Sequence, residues 1–253
     1  MNRTLIKIIS LFFFILTSNL CLAEGYPWAR VQSISIEKDS IGIALRKGLY
    51  NQDKGSITFF EIDPKTWILK QTDKTTFDSK FEKSANANNE EPAWGKAPSS
   101  FSLNKDEKLV PEYTDCEPQE EAGPMCTKQY LNVGKIKFQL VSFCKIGCEV
   151  IIAKKWNDQL WVGLGTLGEL EWYGAGFRVF DFKTKKQLLD RSEKVMGGQL
   201  PGIFIVDHIR NWMWVGTNTR LMVYDKDLKL ISDCPISPPS AKTDQGTFNC
   251  QKQ

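Results

Sequence analysis

The residues best suited to chemistry lie in a glycine-rich segment that follows Gly163. This segment brings together two carboxylates and two aromatic rings, from Glu169, Glu171, Trp172 and Tyr173. Paired carboxylates beside an aromatic ring could bind a sugar, a cation or a basic peptide, and their separation would decide which glycosidic chemistry they support. The same composition is also typical of a surface loop that only covers a neighbouring opening. Both interpretations remain open at the level of sequence.

Other patterns that could carry chemistry lack their necessary partners. The spacing 163-165-168 matches the dinucleotide-binding glycine pattern, but that pattern needs a helix beginning at the glycines, and here the chain continues into a strand. His208 is the single histidine, so a two-histidine zinc motif is excluded, and no Gly-x-Ser-x-Gly sequence occurs. We expect His208 to be a turn residue, and we predict no catalytic residue, metal or cofactor.

The elements that position the candidate segment belong to a repeat. A block that begins at Asp39, Asp158 and Arg210 occurs three times, and each copy is followed by a second matching stretch. Each copy reads as four short strands separated by polar turns. Strand one is predicted at 34–37, 150–153 and 203–206, and strand four at 67–69, 188–189 and 228–231. Strand three contains an aromatic-acid pair, and residues 60–69 align with 180–189 without a gap.

The third copy, Trp214-Val-Gly-Thr-Asn-Thr-Arg-Leu-Met-Val-Tyr-Asp225, resembles the short repeat of two-component-regulator-type β-propellers. This resemblance implies an all-β fold, a small β-propeller, with four-stranded blades at about 30–70, 149–190 and 202–232. The first copy departs from the pattern because Gly42 stands where the others have Trp161 and Trp214. The resemblance covers about half of the chain after the first 23 residues and implies little about activity.

Three blades are too few to close a ring, since propellers typically have four to eight. The missing wall is expected within 71–148, as one degenerate blade or two partial ones. Strand-like stretches occur there at 100–110 and 130–143, between polar stretches interpreted as loops. A partial propeller completed by another chain is the structural alternative. We predict one domain over 24–253 that ends in an irregular, disulfide-tethered tail at 233–253.

Large aromatic residues on the repeat strands are expected in the core, because rings fill the space between blades. They are Trp161, Phe180, Trp212, Trp214 and Tyr224. The candidate segment connects strands two and three, and in a propeller the equivalent connections leave on the same face. Loops on a rigid scaffold often carry binding residues. The predicted ligand-binding face therefore combines the segment with Arg46, Tyr50, Asp53, Asn218 and Arg220.

The first 23 residues predict export. They have a basic start, an apolar centre and a small-residue exit at Ala23, the layout of a secretory signal peptide. An uncleaved anchor is the alternative, but the apolar run is shorter than the ~20 residues of a spanning helix. Without Arg3 and Lys7 the basic residues fall from 33 to 31, against 30 acidic residues. A nearly neutral chain disfavours a nucleic-acid partner, and no second apolar span follows.

Cysteine usage agrees with export. Six cysteines remain after the first 23 residues, and an even number in an oxidising compartment indicates disulfides. The cysteines fall into near-neighbour pairs, which gives the hypothesis of Cys116 with Cys126, Cys144 with Cys148, and Cys234 with Cys250. A redox or metal site is the alternative, but the Cys144–Cys148 spacing is one residue too long for the redox motif.

The functional expectation is an exported, periplasmic or secreted, binding module. Its partner would be a protein or glycan in the cell envelope or outside the cell. The alternative from another class is a propeller enzyme that acts on carbohydrate, with Glu169, Glu171 or Asp181 as acid and base. A sensor-type ligand module is a third possibility. Sequence alone identifies no ligand for any of these classes.

Overall fold

A computed structural model describes most of the chain, and it is built almost entirely of strands. The described residues are 27–49, 55–81, 98–117, 125–141, 149–167, 172–192, 201–236, 248 and 250–252. Within these ranges one α-helix occurs, and every sheet is antiparallel. The predicted all-β class is therefore confirmed.

The strands form four sheets in which strands consecutive in sequence are neighbours in space. Sheet 1 contains β1 (Pro27–Ile36), β2 (Ile41–Leu49), β3 (Ser56–Ile62) and β4 (Leu69–Thr72). Sheet 2 contains β5 (Phe101–Ser102), β6 (Lys108–Glu117), β7 (Met125–Val133) and β8 (Ile136–Val141). Sheet 3 contains β9 (Glu149–Trp156), β10 (Gln159–Leu167), β11 (Trp172–Asp181) and β12 (Gln187–Ser192). Sheet 4 contains β13 (Pro201–Asp207), β14 (Trp212–Thr217), β15 (Arg220–Asp225), β16 (Leu230–Pro235) and β17 (Gln251–Lys252).

Sheets 1, 3 and 4 share one turn between their third and fourth strands. It begins at Asp63, Asp181 and Asp225, whose side-chain oxygens accept hydrogen bonds from backbone N–H groups of the turn. Such Asx turns replace backbone partners that the turn cannot supply. Each turn ends in a residue with positive φ, namely Trp67 at 61°, Lys185 at 61° and Leu228 at 63°. The repeat is thus a repeat of turn geometry as well as of strands.

This turn corrects two sequence predictions. Asp63, not Glu61, is the counterpart of Asp181, so the gapless alignment of 60–69 with 180–189 is wrong by two residues. The strand register agrees. Ile62 pairs with Ile41 and Phe180 pairs with Leu160, and Ile41 and Leu160 are the third residues of the two repeat blocks. Trp67 was expected in strand four, but it lies in the turn before β4. The Phe60-Glu61 pair of β3 resembles Phe180-Asp181, and this likeness gave the alignment a false register.

Three apolar clusters join the sheets in the spatial order 2, 3, 4, 1. One cluster is shared by sheets 2 and 3, one by sheets 3 and 4, and one by sheets 4 and 1. Trp161 fills the junction of sheets 3 and 4, and Trp214 fills that of sheets 4 and 1; both are fully buried. Phe180 and Tyr224 are also buried, whereas Trp212 is only half-buried. The aromatic core prediction is confirmed for four of the five residues.

A helix covers the remaining face of sheet 1. Helix α1 (Lys74–Phe81) begins after Asp73, whose carboxylate accepts a 2.9 Å hydrogen bond from the Thr76 N–H group, as an N-cap residue does. Phe77 and Phe81, one turn apart, are buried against Gly42, where an added Cβ would lie 2.8 Å from both rings. The helix therefore occupies the space that the tryptophan of the other two copies fills. The sequence analysis did not predict it.

Sheet 2 is a single four-stranded sheet within 71–148, the range in which a further blade was predicted. Leu109, Leu131 and Phe138 are fully buried towards sheet 3. Its opposite face is polar, with Asn132 and Lys137 both bonded to the Glu112 carboxylate. The strand-like stretches at 100–110 and 130–143 are confirmed in part, since β7 already begins at Met125. Of the predicted loops at 83–92 and 117–124, Glu117 is instead the last residue of β6, and the other residues lie outside the described residues.

The chain tail is tied to sheet 4 by the predicted Cys234–Cys250 disulfide. Ile236 pairs with Phe248 in an isolated bridge, and β17 adds a fifth strand beside β16. The tail is therefore more regular than expected. Cys116 is disulfide-bonded and faces Cys126 in the β6–β7 register, which agrees with the second predicted pair. Cys144 and Cys148 lie outside the described residues.

Candidate functional site

The predicted ligand-binding face is described only in part. Glu169, Glu171, Tyr50 and Asp53 lie outside the described residues. Trp172 and Tyr173 form the first two positions of β11, opposite Leu167 and Thr166 of β10. Of the face's remaining residues, Arg46 lies in β2, Asn218 in the turn after β14, and Arg220 at the first position of β15.

The repeated sheets run in the same direction, as the prediction of a common face requires. The Gln159 amide donates a 2.7 Å hydrogen bond to the Lys226 carbonyl, which joins the turn ends of sheets 3 and 4. The Arg210 guanidinium donates a 2.7 Å bond to the Glu37 carbonyl and so joins the same ends of sheets 4 and 1. The connections between strands two and three therefore leave these sheets at one common end.

Asp181 lies at the other end, which corrects its predicted role beside Glu169 and Glu171. It is the last residue of β11, whereas the candidate segment leads into Trp172, the first. A strand rises about 3.3 Å per residue, so the two ends are roughly 30 Å apart. Glycosidase carboxyl pairs are separated by roughly 5–10 Å. Hydrogen bonds from Thr184 and Lys183 lower the pKa of Asp181, which marks a turn-capping carboxylate.

A charged cleft of about 270 Å³ lies where the outer strands of sheets 3 and 4 meet. Two guanidinium groups, two carboxylates, two hydroxyls and two apolar side chains line it. The lining residues are Asp190, Arg191, Ser192, Arg220, Met222, Tyr224, Leu230 and Asp233. Among the described residues of the predicted face, Arg220 is the one that contributes to this cleft.

The wall from sheet 4 carries an ion pair. Arg220 Nη1 donates a 2.9 Å hydrogen bond to Asp233 Oδ2. Asp233 faces Met222 in the β15–β16 register, on the side of sheet 4 that packs against sheet 3. Its second oxygen, Oδ1, is buried and has no hydrogen-bond partner among the described residues. A buried carboxylate oxygen without a donor is unusual, since most buried polar atoms are paired.

The wall from sheet 3 holds its aspartate in place. Asp190 Oδ1 accepts a 2.9 Å hydrogen bond from the Ser192 N–H group and a second one from the Ser192 hydroxyl. Asp190 Oδ2 lies 3.3 Å from the buried Arg178 guanidinium. Burial would raise the pKa of Asp190, but these hydrogen bonds and the Arg178 charge outweigh it and lower the pKa. Asp190 is therefore a fixed carboxylate whose acceptors are already used.

Tyr224 and Arg191 meet across the cleft. The Tyr224 side chain is fully buried, and its hydroxyl lies 3.6 Å from the Met222 sulfur. Burial raises the pKa of this hydroxyl, although the nearby positive charge of Arg191 opposes the shift. Arg191 itself is exposed. A guanidinium carries five donors, so Arg191 has donors to offer to a ligand in the cleft.

Sequence reasoning did not find most of this site. Asp190 and Arg191 follow the predicted strand four of the second copy, and Asp233 stands between Ser232 and Cys234 in the third. The signal for this site in the sequence was a charged residue, arginine or aspartate, at strand positions where a residue that packs between sheets is expected. Strand order alone could not show that β12 and β16 face each other.

His208 lies in an exposed turn, as predicted, and a buried ion pair adjoins it. The Asp207 carboxylate is fully buried and accepts 2.9 and 3.0 Å hydrogen bonds from the N–H groups of Ile209 and Arg210. Arg210 Nη1 lies 2.8 Å from Asp207 Oδ2, while its Nη2 donates to the Glu37 carbonyl of sheet 1. Asp207 and Arg210 therefore clamp sheets 4 and 1 together.

The described residues indicate neither a metal site nor a membrane-spanning helix, and two comparisons with known proteins indicate no family. Within the described residues no group of histidine, cysteine, aspartate and glutamate side chains could hold a metal ion. No helix in the described ranges has the length and apolarity that crossing a lipid bilayer requires. No family model matches the chain, and no curated protein matches it.

Proposed function

We propose that the protein is an exported β-propeller that binds a ligand in the charged cleft between sheets 3 and 4. The observation that carries the proposal is the cleft itself, where charged side chains held by ion pairs surround a buried carboxylate oxygen that lacks a donor. Clefts with a few fixed polar groups are the usual form of small-ligand sites.

The propeller part rests on strand order and packing. Each sheet is a meander of consecutive strands, and the order 2, 3, 4, 1 brings the first and last sheets into contact. In a four-bladed ring, sheet 2 and helix α1 on sheet 1 would face each other across the closure. Small-angle scattering and sedimentation of the purified protein test this arrangement. A monomer with the compact profile of a closed ring is expected, and a dimer would favour completion by a second chain.

Export rests on the first 23 residues and on the disulfides. A fusion of the full chain to a reporter that is active only in an oxidising compartment should be active, and N-terminal sequencing should begin at about residue 24. Reporter inactivity or an intact N-terminus would contradict export with signal removal.

Among the described residues, the placement of the carboxylates favours binding over carbohydrate hydrolysis. Asp181 is a capping residue far from the candidate segment, and Asp190 already accepts hydrogen bonds from Ser192. A general acid or base needs a proton position that a substrate can reach. The two carboxylates of the cleft are instead held as fixed charges, because Asp190 pairs with Arg178 and Asp233 pairs with Arg220.

The test is a thermal-shift screen of the protein purified after export in its oxidised form. The panel should contain amino acids, sugars, cell-wall fragments, organic acids and divalent cations. A ligand that binds the folded state raises the melting temperature with dose, and the rise should be lost in Arg220→Gln. A rise that persists in this variant would place binding elsewhere, and a flat result across the panel would contradict a small-ligand function.

A further inference from the structure

We propose that the charged cleft binds a small zwitterion with a carboxylate and an ammonium group, of the α-amino-acid class. This inference rests on the binding function proposed above and names its ligand class. Three independent properties of the cleft carry it: its charge balance, its unused hydrogen-bonding atoms and its size.

The charge balance favours a ligand that is neutral overall. Arg191 and Arg220 contribute two positive charges to the lining, and Asp190 and Asp233 contribute two negative ones. A simple anion would meet both carboxylates, and a simple cation would meet both guanidinium groups. A ligand with one charge of each sign can place each beside its opposite, which lowers the cost of removing both from water.

The unused acceptor is Asp233 Oδ1. Its partner oxygen, Oδ2, already accepts from Arg220 at 2.9 Å, whereas Oδ1 is buried without a donor among the described residues. Leaving such an atom unpaired is costly. The Asp233 side chain is 16% accessible, so an ammonium group in the cleft would meet the accessible part of this carboxylate, where its charge and three N–H donors suit the position better than a neutral group does.

The unused donors belong to Arg191 and Arg220. Arg191 is exposed and lines the cleft beside Tyr224, and Arg220 uses Nη1 for Asp233. A guanidinium fork matches the two oxygens of a carboxylate, and this geometry is more specific than a point charge. The carboxylate of the ligand would therefore lie towards Arg191, and its ammonium towards Asp233.

The size and the remaining lining set the scale of the ligand. A volume of about 270 Å³ is just below the roughly 300–1,000 Å³ range of small-molecule pockets, so the ligand must be small. Met222 and Leu230 provide an apolar surface beside the charged groups. This arrangement suits a single amino acid with an aliphatic side chain and excludes a folded partner from the interior of the cleft.

Isothermal titration calorimetry of the exported, oxidised protein tests the inference. The probes are aliphatic α-amino acids, the matching 2-hydroxy acids without the ammonium group, and the matching primary amines without the carboxylate. We expect amino acids to bind and each truncated probe to bind at least about tenfold more weakly.

Variants locate the site. Arg191→Gln and Asp233→Asn should weaken amino-acid binding by about 10- to 100-fold, the loss typical of one charge-assisted hydrogen bond. Asp227→Asn, on an exposed turn, is the control and should bind as the unmodified protein does. Arg46→Gln probes the predicted loop face, the competing location of the site. Because Arg191 is exposed, its variant should fold, and its melting temperature verifies this.

The outcomes separate this inference from the function on which it rests. Amino-acid binding that is lost in Arg46→Gln but kept in Arg191→Gln would overturn it. Failure of every amino acid, together with an organic acid or sugar that binds and depends on Arg220, would overturn the zwitterion but keep the binding function. Failure of the whole thermal-shift panel would remove both proposals.

Discussion

Sheet 4 packs against sheet 3 on one side and against sheet 1 on the other. The inner parts of these two junctions are alike, but their outer parts differ. Towards sheet 3 and towards sheet 1, the inner part of each junction is filled by a fully buried tryptophan, Trp161 and Trp214 respectively. At the outer strands the junction with sheet 1 is apolar, because Cys234, Ile236 and Phe248 pack there. At the outer strands the junction with sheet 3 is the charged cleft.

The difference arises from one strand and one tail. Neighbouring residues of β16 point to opposite junctions, so Cys234 faces sheet 1 beside Leu221, and Asp233 faces sheet 3 beside Met222. The disulfide holds the tail on the sheet 1 side, where Phe248 lies 5.3 Å from the Phe60 ring between ring centroids. The repeat therefore forms the inner part of each junction. Residues outside the repeat determine whether the outer part is apolar and closed or remains polar.

The largest effect should come from breaking the sealed junction at its centre. Trp214 packs 5.9 Å from Trp67 between ring centroids, within a cluster that also contains Trp212. Trp214→Ala should lower the free energy of unfolding by about 3–5 kcal/mol, the usual cost of emptying a buried aromatic site. Urea denaturation measures it. Ile68→Ala, at a 66% exposed residue, is the control, and equal effects of the two variants would contradict the central role of the junction.

A smaller loss should follow from releasing the tail. The Cys234–Cys250 disulfide closes a loop with a sequence separation of 16 residues. In the chain-entropy account such a loop contributes about 3 kcal/mol. The double variant Cys234→Ser with Cys250→Ser should lose about this amount and expose the Phe60–Phe248 contact to water. Binding of a hydrophobic dye to the variant checks the exposure. Unchanged stability would mean that the tail does not seal the junction.

Replacement of Asp190, in the cleft wall, should lower the free energy of unfolding by an amount that depends on pH. Asp190 has a lowered pKa in the folded protein, so the unfolded chain binds more protons at acidic pH. Its contribution is therefore present above the ordinary carboxyl pKa of about 4 and is lost as pH falls through the lowered value. Asp190→Asn should cost about 1–2 kcal/mol at pH 7, allowing for its partial exposure, and less in acid.

The matched control for this pH effect is Asp227→Asn. Asp227 is 73% exposed and pairs with Lys226 at an exposed turn. Its replacement should leave the stability profile between pH 3 and pH 7 nearly parallel to that of the unmodified protein. Urea denaturation at several pH values checks both variants. A loss in Asp190→Asn that does not shrink in acid would contradict the proposed role of the Asp190 charge.

The sequence predicted the scaffold better than the site, for a physical reason. The copies around Trp161 and Trp214 share strand patterns that are local in sequence, so periodicity finds them. Helix α1 was missed because Thr75 and Thr76 have low helix propensity and the segment has only eight residues. Its N-cap Asp73 and its Phe77–Phe81 spacing were nevertheless visible signals.

The cleft could not be predicted, because it is assembled from residues far apart in the chain. Asp190 and Asp233 become neighbours of one cavity only once sheets 3 and 4 pack. In sequence each is one more charged residue near a strand end. The candidate segment attracted attention because it interrupts the repeat, whereas the cleft lies on strands that continue it.

The smallest effect on stability is expected at the centre of the cleft. The Arg220–Asp233 pair is partly exposed, with 37% and 16% of the two side chains accessible, and such pairs contribute about 0–1 kcal/mol. Arg220→Gln should therefore lower the free energy of unfolding by less than about 1 kcal/mol, while it removes ligand binding. Urea denaturation and calorimetry on the same preparation compare the two effects.

Arg220→Lys refines this prediction, because it keeps the charge and loses the fork. It should retain stability and recover ligand binding only in part. A large loss of stability in both Arg220 variants would mean that the cleft charges hold sheets 3 and 4 together, as Trp214 and the tail hold sheets 4 and 1. A small loss of stability would mean that the cleft charges contribute little to folding, as expected of residues that are retained for ligand binding.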